Sequence, residues 1–90
     1  MEVQFLNKFS KDLDKIKQPK DKTALLNLIK DVKAAESLRD IPSIKKLAGF
    51  QDAYRIRVGQ LRVGIFISEE KSIIQFARVA FRKDIYNILP

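Results

Sequence analysis

Three arginines, Arg55, Arg57 and Arg62, fall within the short stretch Tyr54–Arg62, read as YRIRVGQLR. A guanidinium is a planar fork that grips a phosphate or a carboxylate through two hydrogen bonds, and it keeps its charge at any physiological pH. If Gly59-Gln60 forms the two-residue turn of a β-hairpin, Val58 pairs with Leu61 and Arg57 lies directly opposite Arg62. Arg55 then projects from the same face, opposite Gly64, because side chains alternate along a strand. Like charges facing each other across a strand pair repel. Such a cluster therefore stabilises nothing until an anion lies among the arginines, either a phosphate backbone or an acidic partner. A second pairing lies near the end of the chain. Arg82 and Tyr86 are four residues apart, so a single helical turn would put both on one face. A tyrosine close to arginines has its charged form favoured, which lowers its pKa toward useful proton transfer.

The rest of the composition narrows the chemistry. The chain has no His and no Cys. That removes the commonest general base, the thiol nucleophile, disulfides and the usual transition-metal ligands. Without His, the titratable candidates are Tyr86, Lys45, Lys46 and Asp84. Asp52 and Asp84 are too few for a carboxylate-held divalent metal, and no glycine-rich phosphate loop is present. No cofactor is expected. No apolar run reaches the roughly 18–20 residues needed to span a bilayer, and MEVQFLNKF lacks the layout of a secretory signal, so a soluble cytoplasmic protein without a membrane partner is expected.

The net charge is +7, from 18 basic and 11 acidic residues, which favours an anionic partner. The two halves differ in kind. Residues 1–45 hold nine lysines and only Arg39, whereas residues 46–90 hold Arg55, Arg57, Arg62, Arg78 and Arg82. The lysines read as solvated helix faces and the arginines as the site.

Ninety residues allow one domain with one core, spanning 1–90. Val3 and Phe5 alternate with polar neighbours, as in a short strand. Phe9, Leu13 and Ile16 form the apolar stripe of a helix capped by Asn7 or Ser10 and ended by Gln18-Pro19. A second helix is expected from about Lys20 to about Ala35, burying Leu25, Leu28, Ile29 and Val32, with Leu26 at the edge. Ser37 to Gly49 reads as a connector anchored by Leu38, Ile41, Ile44 and Leu47. The hairpin follows, over Ala53–Val58 and Leu61–Ser68, with Tyr54, Ile56, Val58, Val63, Ile65 and Ile67 facing the helices. Ser72 to Val79 is the last strand, and Phe81 to Leu89 a short tail. The order is β-α-α-β-β-β. It predicts an α+β domain with two N-terminal helices on one face of a small, mainly antiparallel sheet. The other face is left wet and strongly positive. Gly49 and Gly59 are expected at positive φ.

Taken in order, KKLAGFQDAYRIRVGQLRVGIF (Lys45–Phe66) and FRKDIY (Phe81–Tyr86) resemble the RelE/ParE superfamily of toxins from type II toxin–antitoxin systems. The resemblance covers most of the chain. It implies the same fold, and it implies one of two activities. RelE-like members cut mRNA, often in the ribosomal A site, whereas ParE-like members inhibit DNA gyrase. The ending FRKDIY resembles the ribonuclease branch. On that branch the functional positions are basic strand residues plus an Arg and a Tyr near the C-terminus, which here match Arg55, Arg57, Arg62, Arg82 and Tyr86. Lys45, Lys46, Arg78 and Lys83 are the further cations in reach of RNA. The resemblance also implies a cognate antitoxin, acidic or amphipathic, covering the arginine face or the groove beside the helices. Two positions depart from the pattern: Phe81 stands where relatives often carry His, and Leu61 where they often carry Tyr.

Metal-independent RNA cleavage needs a base for the 2′-OH, stabilisation of the extra charge on the phosphate, and an acid for the leaving 5′-oxygen. Arginines suit the second task. Being always protonated, they are poor bases, which leaves the proton transfers to Tyr86, Lys45, Lys46 or Asp84, with Tyr86 singled out for test by its spacing from Arg82. The alternatives are a ParE-like gyrase inhibitor without nuclease activity, and a member that binds RNA or antitoxin and cuts nothing.

Overall fold

A computed structural model of the chain describes residues 1–85. Five strands form a single sheet: β1 (Glu2–Phe5), β2 (Ile44–Lys46), β3 (Ala53–Val58), β4 (Leu61–Ser68) and β5 (Ile73–Phe81). Their order across the sheet is β1-β5-β4-β3-β2. β1 runs parallel to β5 and every other pairing is antiparallel. Two helices, α1 (Asn7–Leu13) and α2 (Pro19–Ala34), connect β1 to the rest. The α+β architecture is the expected one, with one strand more than the sequence announced.

The core lies between the helices and one sheet face. Ile56, Val63, Ile65, Ile74 and Phe76 come from the strands, and Phe9, Leu25, Leu28 and Val32 from the helices. Each such side chain contributes about 1.5–3 kcal/mol when fully removed from water. Tyr54 and Val58 pack against this cluster half-buried. Leu26 stays 59% exposed on α2, at the edge of the buried stripe.

α1 stops earlier than the Phe9, Leu13, Ile16 stripe predicts. After Leu13 the chain tightens, with the amides of Lys15 and Ile16 donating to the carbonyls of Asp12 and Leu13, three residues back. Ile16 still reaches the core, through this turn rather than along a helix face. The residue preceding α1 is Leu6, and neither Asn7 nor Ser10 serves as its cap. Pro19 opens α2, where its missing N–H would have had no helical partner.

The connector holds a 3₁₀ turn over Leu38–Asp40 and the short strand β2, which pairs with β3. β3 is therefore flanked on both sides and is not an edge. β5 begins and ends later than Ser72–Val79, because Phe81 still pairs with Leu61. Its ladder with β4 shifts register between Gly64 and Ile65, leaving Ala77 as an extra, unpaired residue.

Candidate functional site

The β3–β4 hairpin has the register that its sequence specifies. Val58 pairs with Leu61, Arg57 with Arg62, and Arg55 with Gly64. Gly59 turns the chain at φ 58°, and Gly49 at φ 84°, values that a residue without a Cβ adopts at little cost. The Arg57 amide donates outward to the Ser43 carbonyl at 3.2 Å. The Arg57–Arg62 pair is thus of the type without mutual backbone bonds, which brings opposed side chains closest. β2 adds a fourth cation: Lys45 pairs with Arg55, so both project from the face opposite the helices.

The three hairpin arginines differ in exposure. Arg57 is exposed and Arg55 is half-buried. The Arg55 Nε lies out of contact with solvent and has no hydrogen-bond partner. Arg62 departs from the expected wet face, being only 5% exposed. Its Nη1 donates to the carbonyls of Gly59 and Leu61, each at 2.8 Å. Folding the head back onto the turn braces the hairpin tip.

Arg82 arrives at the same tip. Its amide donates to the Gln60 carbonyl at 2.7 Å. An open hollow there is lined, among the described residues, by Gln60, Phe81, Arg82 and Lys83. Arg82, Lys83 and Asp84 form a turn, with the Asp84 amide donating to the Phe81 carbonyl. No ion pair joins Arg82 to Asp84 among the described residues. Two segments some twenty residues apart in the chain are therefore joined at the hairpin tip. Tyr86 lies outside the described residues. Lys46 pairs with Tyr54 and so projects to the opposite side from Lys45.

Arg78, expected among the RNA-facing cations, has a different partner. Its Nε and Nη2 donate to the two carboxylate oxygens of Asp12 at 2.7 and 3.1 Å. The Val79 amide donates to Asp12 as well, at 3.1 Å. Burial raises the Asp12 pKa, but the hydrogen bonds from Arg78 and Val79 and the charges of Arg78 and Lys15 outweigh it, leaving the carboxyl below its ordinary value. The bond to Asp12 raises the Arg78 pKa, against the opposing effect of burial. Nothing local in the sequence marks Asp12, since its partner is 66 residues away.

Among the described residues no three acidic side chains gather as a metal site would need. No helix among them is long and apolar enough to cross a membrane.

The chain matches no family model. It is similar along its whole length to a toxin named RelE3 of Methanocaldococcus jannaschii, at 38% identity over 91 residues and 100% of both chains. A RelB–RelE antitoxin–toxin complex from Methanococcus jannaschii contains a chain similar at 34% identity, with a TM-score of 0.82 over 98% of this chain and 100% of that one. The RelE–RelB complex of Pyrococcus horikoshii shares the fold, with a TM-score of 0.74 at 20% identity over 90% of this chain and 93% of that one. With the fold and the full-length likeness in agreement, the chain belongs to the RelE family of toxins from toxin–antitoxin systems.

Proposed function

We propose that this chain, acting as one domain over residues 1–90, is an endoribonuclease that cuts mRNA without a metal ion, free or on the ribosome, and is restrained by a cognate antitoxin. The observation that carries this reading is the meeting of two distant basic segments. Arg57 lies opposite Arg62 on the hairpin, and the Arg82 backbone is bonded to Gln60 at its turn.

In the proposed reaction the 2′-oxygen attacks the adjacent phosphorus as its proton passes to a base. The bond to the 5′-oxygen breaks, and that oxygen takes up a proton. The products are a 2′,3′-cyclic phosphate and a 5′-hydroxyl. Arg57 and Arg82 stabilise the charge that grows on the phosphate oxygens, a task suited to permanent cations aimed at the developing charge. Arg55, with a buried Nε lacking a partner, binds a neighbouring phosphate. Arg62 holds the turn and adds its charge to the site. Tyr86 is the proton-transfer group. Lys45 lies in line with Arg55 and extends the track for the RNA backbone, Lys83 contributes charge beside Arg82, and Lys46, paired with Tyr54 on the other side of the sheet, stands off the track. Arg78 serves the fold, since two of its three guanidinium nitrogens hold Asp12.

The proposed antitoxin is acidic or amphipathic and competes with RNA for the cationic face. Its binding weakens with added salt, as expected for charge-steered association. That the similar chain of Methanococcus jannaschii was crystallised with RelB supports such a partner.

The test is cleavage of end-labelled RNA by the purified protein in the presence of a chelator, alone and with programmed ribosomes. Cleavage should be strongly slowed in Arg57→Ala and in Tyr86→Phe. Intact RNA under both conditions with the wild-type protein would refute the ribonuclease reading. Unchanged cleavage by Tyr86→Phe would remove Tyr86 from the proton-transfer role.

A further inference from the structure

β1 is too short to cover β5. Its last contact is the Leu6 amide donating to the Phe76 carbonyl at 3.0 Å. The chain then leaves the sheet as α1, and the distal half of β5, from Ala77 to Phe81, loses its neighbour on that side. This half also follows the extra residue Ala77, where the ladder with β4 has already shifted register. A strand next to a bulge, with one edge unpaired, is the part of a sheet most able to slip.

Asp12 stands at this gap. It is 6% exposed on the last turn of α1. One oxygen accepts from the Val79 amide, as a neighbouring strand's carbonyl would, and both oxygens accept from Arg78. The carboxylate thus continues the ladder that β1 abandons. Three residues beyond Val79, Arg82 bonds to Gln60 at the hairpin turn. A one-residue slip would expose Val79, which is now buried, and would move Arg82 off that carbonyl.

We infer that Asp12 is a positioning residue for the candidate site, fixing the register of distal β5 through Arg78 and the Val79 amide and so holding Arg82 against the hairpin turn. The inference rests on the ribonuclease reading for its consequence in catalysis, but not for the placement of Arg82.

The test uses the full chain with Asp12→Asn, which keeps the volume and one acceptor, and with Arg78→Lys, which keeps the charge but not the fork. Two quantities are read well below the melting temperature: amide hydrogen exchange residue by residue, and kcat and KM for RNA cleavage. In both variants the Arg82 amide should lose protection about tenfold or more beyond any loss at Ile56 and Val63 in the core, as local opening does. The kcat should fall by about 100-fold, the scale of a small misplacement of a reacting group, with KM little changed. Protection at Arg82 that merely follows the core would overturn the inference, and so would a kcat unchanged in both variants when the wild type cleaves. If the wild type cuts no RNA, the ribonuclease reading fails by itself, and the exchange data alone decide where Asp12 stands.

Discussion

Arg55 and Arg78 flank Gly64 in one row across the sheet, yet the fold treats them in opposite ways. Arg78 has a buried carboxylate brought to it from α1 and is held by two hydrogen bonds. Arg55 has no acidic partner among the described residues, and its Nε is shielded from water without a bond. Arg57, two residues along the same strand, is exposed with no acidic partner among the described residues. The chain can thus supply a carboxylate to an arginine when the structure depends on it. On the hairpin it supplies none to Arg55 or Arg57. An arrangement of like charges that the fold leaves uncompensated fits a surface completed by an anion from outside.

This contrast predicts that arginines in the two regions fail differently. Replacing Arg57 with Glu should lower RNA cleavage by roughly 10²–10³-fold, the scale of losing one preorganised charge on the reacting phosphate. Thermal stability should hardly change, because Arg57 is exposed. Replacing Arg78 or Asp12 with Ala should cost about 3 kcal/mol of stability, by leaving one member of a largely buried pair alone, in addition to the slower cleavage that follows from a displaced Arg82. Calorimetry beside cleavage kinetics would separate the two behaviours. A large stability loss in Arg57→Glu, or none in Asp12→Ala, would break the distinction.

A weaker consequence concerns pH. The folded pKa of Asp12 lies below its ordinary value, so its contribution is present above the unfolded value of about 3.9 and is lost as pH falls through the folded value. The stability gap between wild type and Asp12→Asn should hold at neutral pH and narrow steadily below about pH 4. Chemical denaturation across that range reads the gap directly. A gap that widens in acid would mean that the carboxylate is not stabilised in its charged form.

The smallest expected effect is on binding. Lys45→Gln should weaken RNA binding modestly and flatten its salt dependence by about 0.7 in the log–log slope, the amount for one phosphate contact with a single strand. Lys22→Gln on α2, away from the cationic face, should leave that slope unchanged.

How much of this was legible in the sequence depended on distance along the chain. The hairpin register was readable to the residue, because Gly59-Gln60 and strict alternation on either side admit one pairing that buries Ile56 and Val63. The stripe of α2 was equally clear. β2 was not, since three residues between Pro42 and Gly49 carry no periodicity, and only pairing with β3 makes them a strand. The early end of α1 was hidden because Ile16 is buried in either geometry. The burial of Arg62 escaped prediction because it depends on carbonyls at the turn, where alternation alone assigned a wet position. The Asp12–Arg78 contact was out of reach for the same reason at a larger scale. It joins a helix to a bulged strand 66 residues away, and no local pattern encodes it. Of the proposed site, the basic residues were visible from their types, while the bond joining Arg82 to the hairpin required the fold.

The most direct test is induced expression of the wild type beside the Arg57→Ala/Arg82→Ala double variant in a bacterial host, with primer extension on cellular mRNA after growth stops. The account predicts new mRNA 5′ ends in the wild type that vanish in the variant while the variant still accumulates as folded protein. Growth arrest with intact mRNA would contradict it and point instead to a toxin that acts by binding, as gyrase inhibitors do.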